Sequence, residues 1–241
     1  MAETYAPIFL LAGGRGVRTR KGPDPTLQLV FSRTGNRKPN IAYVGAASED
    51  NAEFRLWIAG LLQKSGAGKV TLAPLCGRHG DLGKAKKVLE TSDLVFISGG
   101  DVEGGMQVLR EKEMNGFLQR LYREGKPFFG TSAGSIMLAR QWIRWENPDD
   151  DASASLFNCL GLAPVLCDTH AEDDDWEELK ALIGLSPTGT IGHGIVSGAA
   201  LMVRPDGTVS AMGGEVHRFQ KQSGGVIQIE SLFPEKGNLI S

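Results

Sequence analysis

The sequence predicts an α/β fold: a doubly wound, mostly parallel sheet with flanking helices and a C-terminal antiparallel hairpin. Three observations carry this. Short apolar runs such as Phe9-Leu10-Leu11, Ile41-Ala42-Tyr43-Val44 and Leu94-Val95-Phe96-Ile97 each soon meet glycine, which is how a strand covered on both faces reads. Between them lie stretches whose apolar residues recur at helical spacing. Late in the chain Asp206-Gly207 divides two apolar runs, a strong short signal for a hairpin turn.

The elements follow in order. Pro7 to Gly14 is a first strand. The basic loop after it (Arg15, Arg18, Arg20, Lys21) has neither the Gly-Lys-Ser/Thr of a P-loop nor a G-x-G-x-x-G, so no nucleotide site is expected. Lys38 to Gly45 is a second strand. A helix capped near Ser48 runs to about Ser65, with Phe54, Trp57, Ile58, Leu61 and Leu62 at helical spacing; the tryptophans are read as core. Lys69 to Pro74 is a third strand, Lys84 to Thr91 a helix and Asp93 to Gly100 a fourth strand. Met106 to Glu124 reads as one amphipathic helix, and Pro127-Phe128-Phe129 as a buried strand. Then come an acidic loop from Glu146 to Asp151, an extended segment from Leu162 to His170, and an acidic helix from Ala171 to about Ile183. A hairpin joins Gly194–Val203 to the run starting at Val209, and a last strand spans about Gly225 to Ile229. Strands alternating with helices imply a parallel sheet, whose ligands collect at the carboxyl ends of strands. With no repeat and no linker, one domain over residues 1–241 is expected.

Composition excludes several classes. A net charge of −2 leaves no basic excess for nucleic acid or an anionic membrane surface. No apolar run reaches the roughly 18 residues that span a bilayer, and no leader is apparent. The three cysteines are too few and scattered for a disulfide framework, which suits a reducing cytoplasm. No His/Cys cluster has metal-ligand spacing, so neither metal nor organic cofactor is expected.

The chemistry centres on Gly130-Thr131-Ser132-Ala133-Gly134, a G-x-S-x-G elbow between a strand and the helix starting at Ser135. A turn this tight lifts the Ser132 side chain clear of the sheet. The flanking glycines let backbone approach without a Cβ, and the helix amides point at the same spot. A serine hydroxyl needs a base. His170, ending an apolar segment after the nucleophile, is the first choice among His79, His170, His193 and His217; His193 is the second. The carboxylate that orients the base is either Glu172, two residues past His170, or Glu146 or Asp149 in the acidic loop. An oxyanion hole needs two converging amides: Ala133 supplies one and the Gly99-Gly100 turn the other, through Gly100.

Ser98-Gly-Gly-Asp101, Gly130-Thr-Ser-Ala-Gly-Ser135, Asp168-Thr-His170, and Gly194-Ile followed by Ala200-Leu-Met-Val203 together resemble the dipeptidase E and cyanophycinase family of serine peptidases. That resemblance runs from Phe9 to about Val216. It implies a class I glutamine amidotransferase-like fold, Ser132 as nucleophile, His170 as base and an acid a short way after the serine, matched best by Glu146 and then Asp149. Amidotransferases instead place the acid where Glu172 stands, with cysteine as nucleophile. Members that cleave after aspartate carry basic residues near the histidine; here Glu172, Asp173, Asp174 and Asp175 follow it, a field suited to basic or neutral substrates or to an amine terminus. Asp101 and Asp168 are candidate substrate contacts, Asp101 alternatively a helix cap. The expected partner is a small peptide, with a homodimer left open. A binding protein that lost turnover and an esterase are the alternative functions.

Overall fold

The computed structural model describes residues 5–13, 22–36, 38–147 and 149–235. Arg15, Arg18, Arg20 and Lys21 of the basic loop, and the side chain of His79, lie outside the described residues.

In chain order the elements are β1 (Ile8–Leu11), α1 (Pro25–Arg33), β2 (Ile41–Val44), α2 (Ala52–Lys64), β3 (Val70–Leu72), α3 (Leu82–Thr91), β4 (Leu94–Ile97), α4 (Val102–Glu111), α5 (Met114–Arg123), β5 (Phe128–Thr131) and α6 (Ala133–Leu138). They continue with β6 (Gln141–Trp145), β7 (Ala154–Asn158), β8 (Leu166–Thr169), α7 (Glu177–Gly184), β9 (Ile191–Ile195), β10 (Ala200–Val203), β11 (Val209–Met212), β12 (Val216–Gln222) and β13 (Gly225–Leu232). The main sheet has the order β11-β10-β1-β5-β4-β2-β3. Its β1, β5, β4, β2 and β3 run parallel, and the β10–β11 hairpin adds on antiparallel. A second sheet, β13-β12-β9-β8, is antiparallel except for its β8–β9 pair.

Strand pleating divides the core. Ile8 and Leu10 face one layer with Val95, Ile97, Phe128 and residues of α3 to α6. Phe9 and Leu11 face the other, with Tyr43, Phe96, Phe129 and residues of α1 and α2. This two-sided burial explains why these strands read as unbroken apolar runs rather than alternating ones. A chain of ring contacts, Phe31–Phe129–Phe96–Tyr43, crosses the second layer. Each fully buried side chain of this size contributes about 1.5–3 kcal/mol. A third, smaller core packs α7 (Leu179, Leu182, Ile183) and Trp176 on Leu166 and Phe219 of the second sheet.

Several expectations need correction, and each correction has a local cause. Helix α1 is absent from the sequence expectations, although Asp24 caps it by accepting from the Thr26 and Leu27 amides and Pro25 opens it, a recognisable start signal. The helix expected from Ser48 begins only after Asn51, which accepts from the Phe54 amide; Glu49 and Asp50 sit at positive φ and break the chain after a short 3₁₀ turn. The helix expected from Met106 to Glu124 is two, α4 and α5, divided at Glu113 with φ 53°. Asp175 and Trp176 at positive φ likewise interrupt the acidic helix after His170. Glu146–Asp151 is the connection of a β6–β7 hairpin. Gly194–Val203 is not one strand: Gly194 and Ile195 end β9 in the second sheet, and β10 belongs to the main one. Among the tryptophans, Trp176 is buried, but Trp57 is 37% exposed.

Candidate active site

Strand β5 delivers Ser132 at its carboxyl end, beside β1 and β4. The Ser132 backbone has φ 53° and ψ −127°, a sparsely populated conformation that costs on the order of 1–3 kcal/mol and survives only where surroundings enforce it. The enforcing bonds converge on one carbonyl: Leu11 O accepts from the Ser132 amide at 3.0 Å and from the buried Ser135 hydroxyl at 2.8 Å. The Ser132 carbonyl accepts from the Ser135 amide at 2.8 Å and so starts α6. Helix α6 is only six residues long, so its dipole is small. The Ser98-Gly99-Gly100 turn passes close by. A Cβ on Gly99 would lie 3.2 Å from Ser132 Cβ. Gly100 has φ +142°, and a Cβ there would come within 1.9 Å of Ala47 O, so the turn requires glycine at that position.

His170 arrives from the other sheet, one residue past the end of β8. Its amide donates to Ile195 O at the end of the parallel β9, 2.9 Å away, and its φ of 46° turns the ring out of the sheet. Nε2 of His170 lies 2.8 Å from Ser132 Oγ, hydrogen-bond distance for a proton transfer between them. The other histidines are elsewhere. His193 is buried in β9 against Leu166 O at 3.2 Å. Burial, reinforced by Arg218 against the pull of that carbonyl, lowers its pKa to about 4. It is a neutral, structural imidazole. His217 on β12 packs against Trp176 and contacts Gln228, Ser231 and Glu215.

Two clefts meet at the Ser132–His170 pair. The larger, about 660 Å³, is lined by Glu172, Asp173, Ser197 and an apolar wall from α1, α2 and β1. The smaller, about 300 Å³, is lined by Asp101, Asp168, Asp174, Glu178, Ala133 and Trp142; Gly100 borders both. Glu146 and Asp149 are exposed on the β6–β7 connection, and neither lines a cleft. Glu172 does, and its Oε1 accepts from the Ser197 amide at 2.9 Å. Burial works to raise its pKa, but the Ser197 hydrogen bonds and the charge of His170 outweigh that and hold it below the ordinary carboxylate value. Asp101 caps α4 by accepting from the Glu103 amide at 3.0 Å and also faces the smaller cleft. Ser197 and the α2 residues of the cleft wall are absent from the candidates drawn from sequence. Ser197 carries no motif, and the α2 stripe signals only a helical face.

Asp168 is 7% exposed. One oxygen accepts from the Thr169 amide at 2.7 Å, and Oδ2 is buried without a partner. Burial pushes its pKa up to about 7; Glu178 and Asp174 add to the rise, and the Thr169 amide opposes it. The folded chain therefore holds this proton more tightly than the unfolded one, whose carboxyl titrates at about 3.9. The stability it contributes is complete below about pH 4 and declines as pH rises toward 7. Asp168→Asn is expected to remove the decline: urea unfolding should show the variant gaining about 2–4 kcal/mol on wild type between pH 4 and pH 7.5. A gap independent of pH would mean that Asp168 is ionised throughout.

A parallel sheet that presents an elbow serine to an imidazole is the apparatus of serine hydrolases. The family comparison narrows that class. The model of peptidase family S51, the dipeptidase E family, matches residues 8–210. The chain belongs to this family and is a serine-type peptidase. Among solved structures it is similar to a peptidase from an acI-B1 actinobacterium, with TM-score 0.70 and 16% identity over 96% of this chain and 98% of that one. It is also similar to a putative peptidase E protein from Listeria monocytogenes EGD-e, with TM-score 0.63 and 16% identity over 86% of this chain and 98% of that one. These likenesses support the fold. A search of curated proteins finds no match. Among the described residues no helix is long and apolar enough to cross a membrane.

Proposed function

We propose that the chain hydrolyses small peptides through Ser132, His170 and Glu172, by way of an acyl-enzyme. The observation that carries this reading is the 2.8 Å contact between Ser132 Oγ and His170 Nε2 on a strained elbow. Ser132 Oγ attacks the scissile carbonyl carbon while His170 Nε2 takes its proton. The amides of Gly100 and Ala133 receive the oxyanion. His170 returns the proton to the departing amine, and water then cleaves the ester by the same route in reverse. Glu172, held ionised by the Ser197 amide, favours the imidazolium that forms between these steps. Asp101, Asp174 and Glu178 of the smaller cleft favour a substrate that presents a positive or neutral group there rather than an acid. The cytoplasm is the proposed setting, in keeping with the free cysteines Cys76, Cys159 and Cys167.

A fluorophosphonate probe tests the centre. Labelling of wild type that disappears in Ser132→Ala supports an activated serine; no labelling at neutral pH overturns it. The acid is tested by kinetics. Glu172→Gln should lower kcat on the order of 100-fold or more, with Glu146→Gln and Asp149→Asn within about threefold of wild type, as expected of exposed residues. If either of the latter two carries the large loss instead, Glu172 is not the orienting acid.

A further inference from the structure

We infer that the larger cleft is a side-chain pocket that makes this enzyme select peptides with a bulky apolar residue, leucine- or phenylalanine-sized, beside the scissile bond. Phe54, Trp57 and Leu61 are its specificity-determining residues. The inference rests on Ser132 and His170 being the reaction centre. At about 660 Å³ the cleft falls within the roughly 300–1,000 Å³ of small-molecule sites. Ser132, His170, Thr131 and Gly99 border one side of it, and Phe54, Trp57, Ile58 and Leu61 of α2 border another. Leu11, Leu27, Leu62, Phe96 and Ala199, all buried, add to the apolar lining.

Helix α2 carries the argument. Ile58 and Leu62 are 5% and 1% exposed and anchor the helix to the sheet. A helix that only had to pack would turn polar at the edges of such a stripe. Instead Phe54 and Leu61, partly buried against the second core layer, remain apolar, and Trp57, in ring contact with Phe54 at 5.8 Å, is 37% exposed. All three border the cleft that holds the nucleophile. The charged residues among its described lining are Asp24, Glu172 and Asp173. Asp24 is committed to capping α1, and Glu172 to the Ser197 amide. The sign of this lining repels an acidic side chain, and its surface is apolar; a leucine or phenylalanine side chain satisfies both conditions.

The test is a peptide panel differing only in one residue, Leu, Phe, Ala, Asp or Lys, placed on either side of the cleaved bond. For wild type kcat/KM should favour Leu or Phe over Ala by about 10- to 100-fold on one side, since single methylene groups in apolar pockets are worth about 10-fold or more. Asp should be poorer still. Phe54→Ala and Leu61→Arg should shrink the Leu-over-Ala ratio below about threefold, and Leu61→Gln replaces the arginine variant if that one does not fold. A flat profile, or a preference for Asp, overturns the inference. The same panel titrated calorimetrically into Ser132→Ala protein reads the pocket without chemistry: tighter binding of Leu and Phe peptides supports it, and equal affinities sink it. Apolar-selective binding by this variant, with neither probe labelling nor turnover in wild type, would overturn the catalytic reading alone.

Discussion

Replacing Ser132 by alanine is expected to abolish peptide turnover, by a factor on the order of 10⁴ or more, and to leave the fold standing. The hydroxyl is the proposed nucleophile, so no neighbouring group substitutes for it. Its contribution to the fold is small. The bonds that hold the elbow come from backbone: the Ser132 amide to Leu11 O, and the Ser135 and Ile136 amides to Ser132 O. The Ser135 hydroxyl, also on Leu11 O, is untouched. Alanine keeps the same φ of 53° and the same strain, so stability should change by less than about 1 kcal/mol. Glycine, which accepts positive φ freely, should raise stability by roughly 1 kcal/mol while losing turnover equally. Turnover measured beside thermal melts of the three proteins checks both halves. Residual turnover within tenfold of wild type in Ser132→Ala would place the nucleophile elsewhere.

The second large effect is expected at Gly134. A Cβ there would meet Ile97 O at 2.1 Å, Ile97 C at 2.7 Å and Ser98 O at 2.8 Å. These are backbone atoms of β4 and of the turn after it, so no side chain can swing aside. Gly134→Ala must push α6 away from β4. That should cost about 3–5 kcal/mol of a total that is about 5–15 kcal/mol for proteins generally, lowering Tm by about 10 °C. Turnover should fall as well, because the same shift moves Ser132 relative to His170. Gly116 in α5 is the control: a Cβ there meets nothing within 4 Å, and Gly116→Ala should stabilise by about 0.5–1 kcal/mol. If Gly134→Ala melts with wild type, the tight packing of α6 on β4 is wrong.

How legible this was varies residue by residue. The elbow was readable because its glycines stand at fixed spacing about Ser132, and a Cβ on Gly130 would meet the Gly134 backbone at 2.5 Å across the turn itself. His170 was readable because an apolar segment ended at it. The choice among the candidate acids was not. Glu146, Asp149 and Glu172 are all acids a short way from a site residue along the chain. Only folding sends the first two to an exposed hairpin connection and brings the third to the Ser197 amide. The stripe Phe54, Trp57, Ile58, Leu61 and Leu62 announced a helical face correctly. Periodicity cannot say which edge of a stripe meets a sheet and which borders open space, so it left the cleft-bordering positions Phe54, Trp57 and Leu61 unmarked.

The amino-acid order by itself determined the parallel sheet, the elbow and the identity of its serine, because apolar strand runs and the glycine spacing of a tight turn are each written in residues a few positions apart. Tertiary structure alone decided that the histidine comes from a second sheet, that the β9–β10 turn holds the nearby glutamate, and that an apolar cleft opens beside them. Those are distances between segments far apart in the chain, fixed by how whole layers pack rather than by any local pattern.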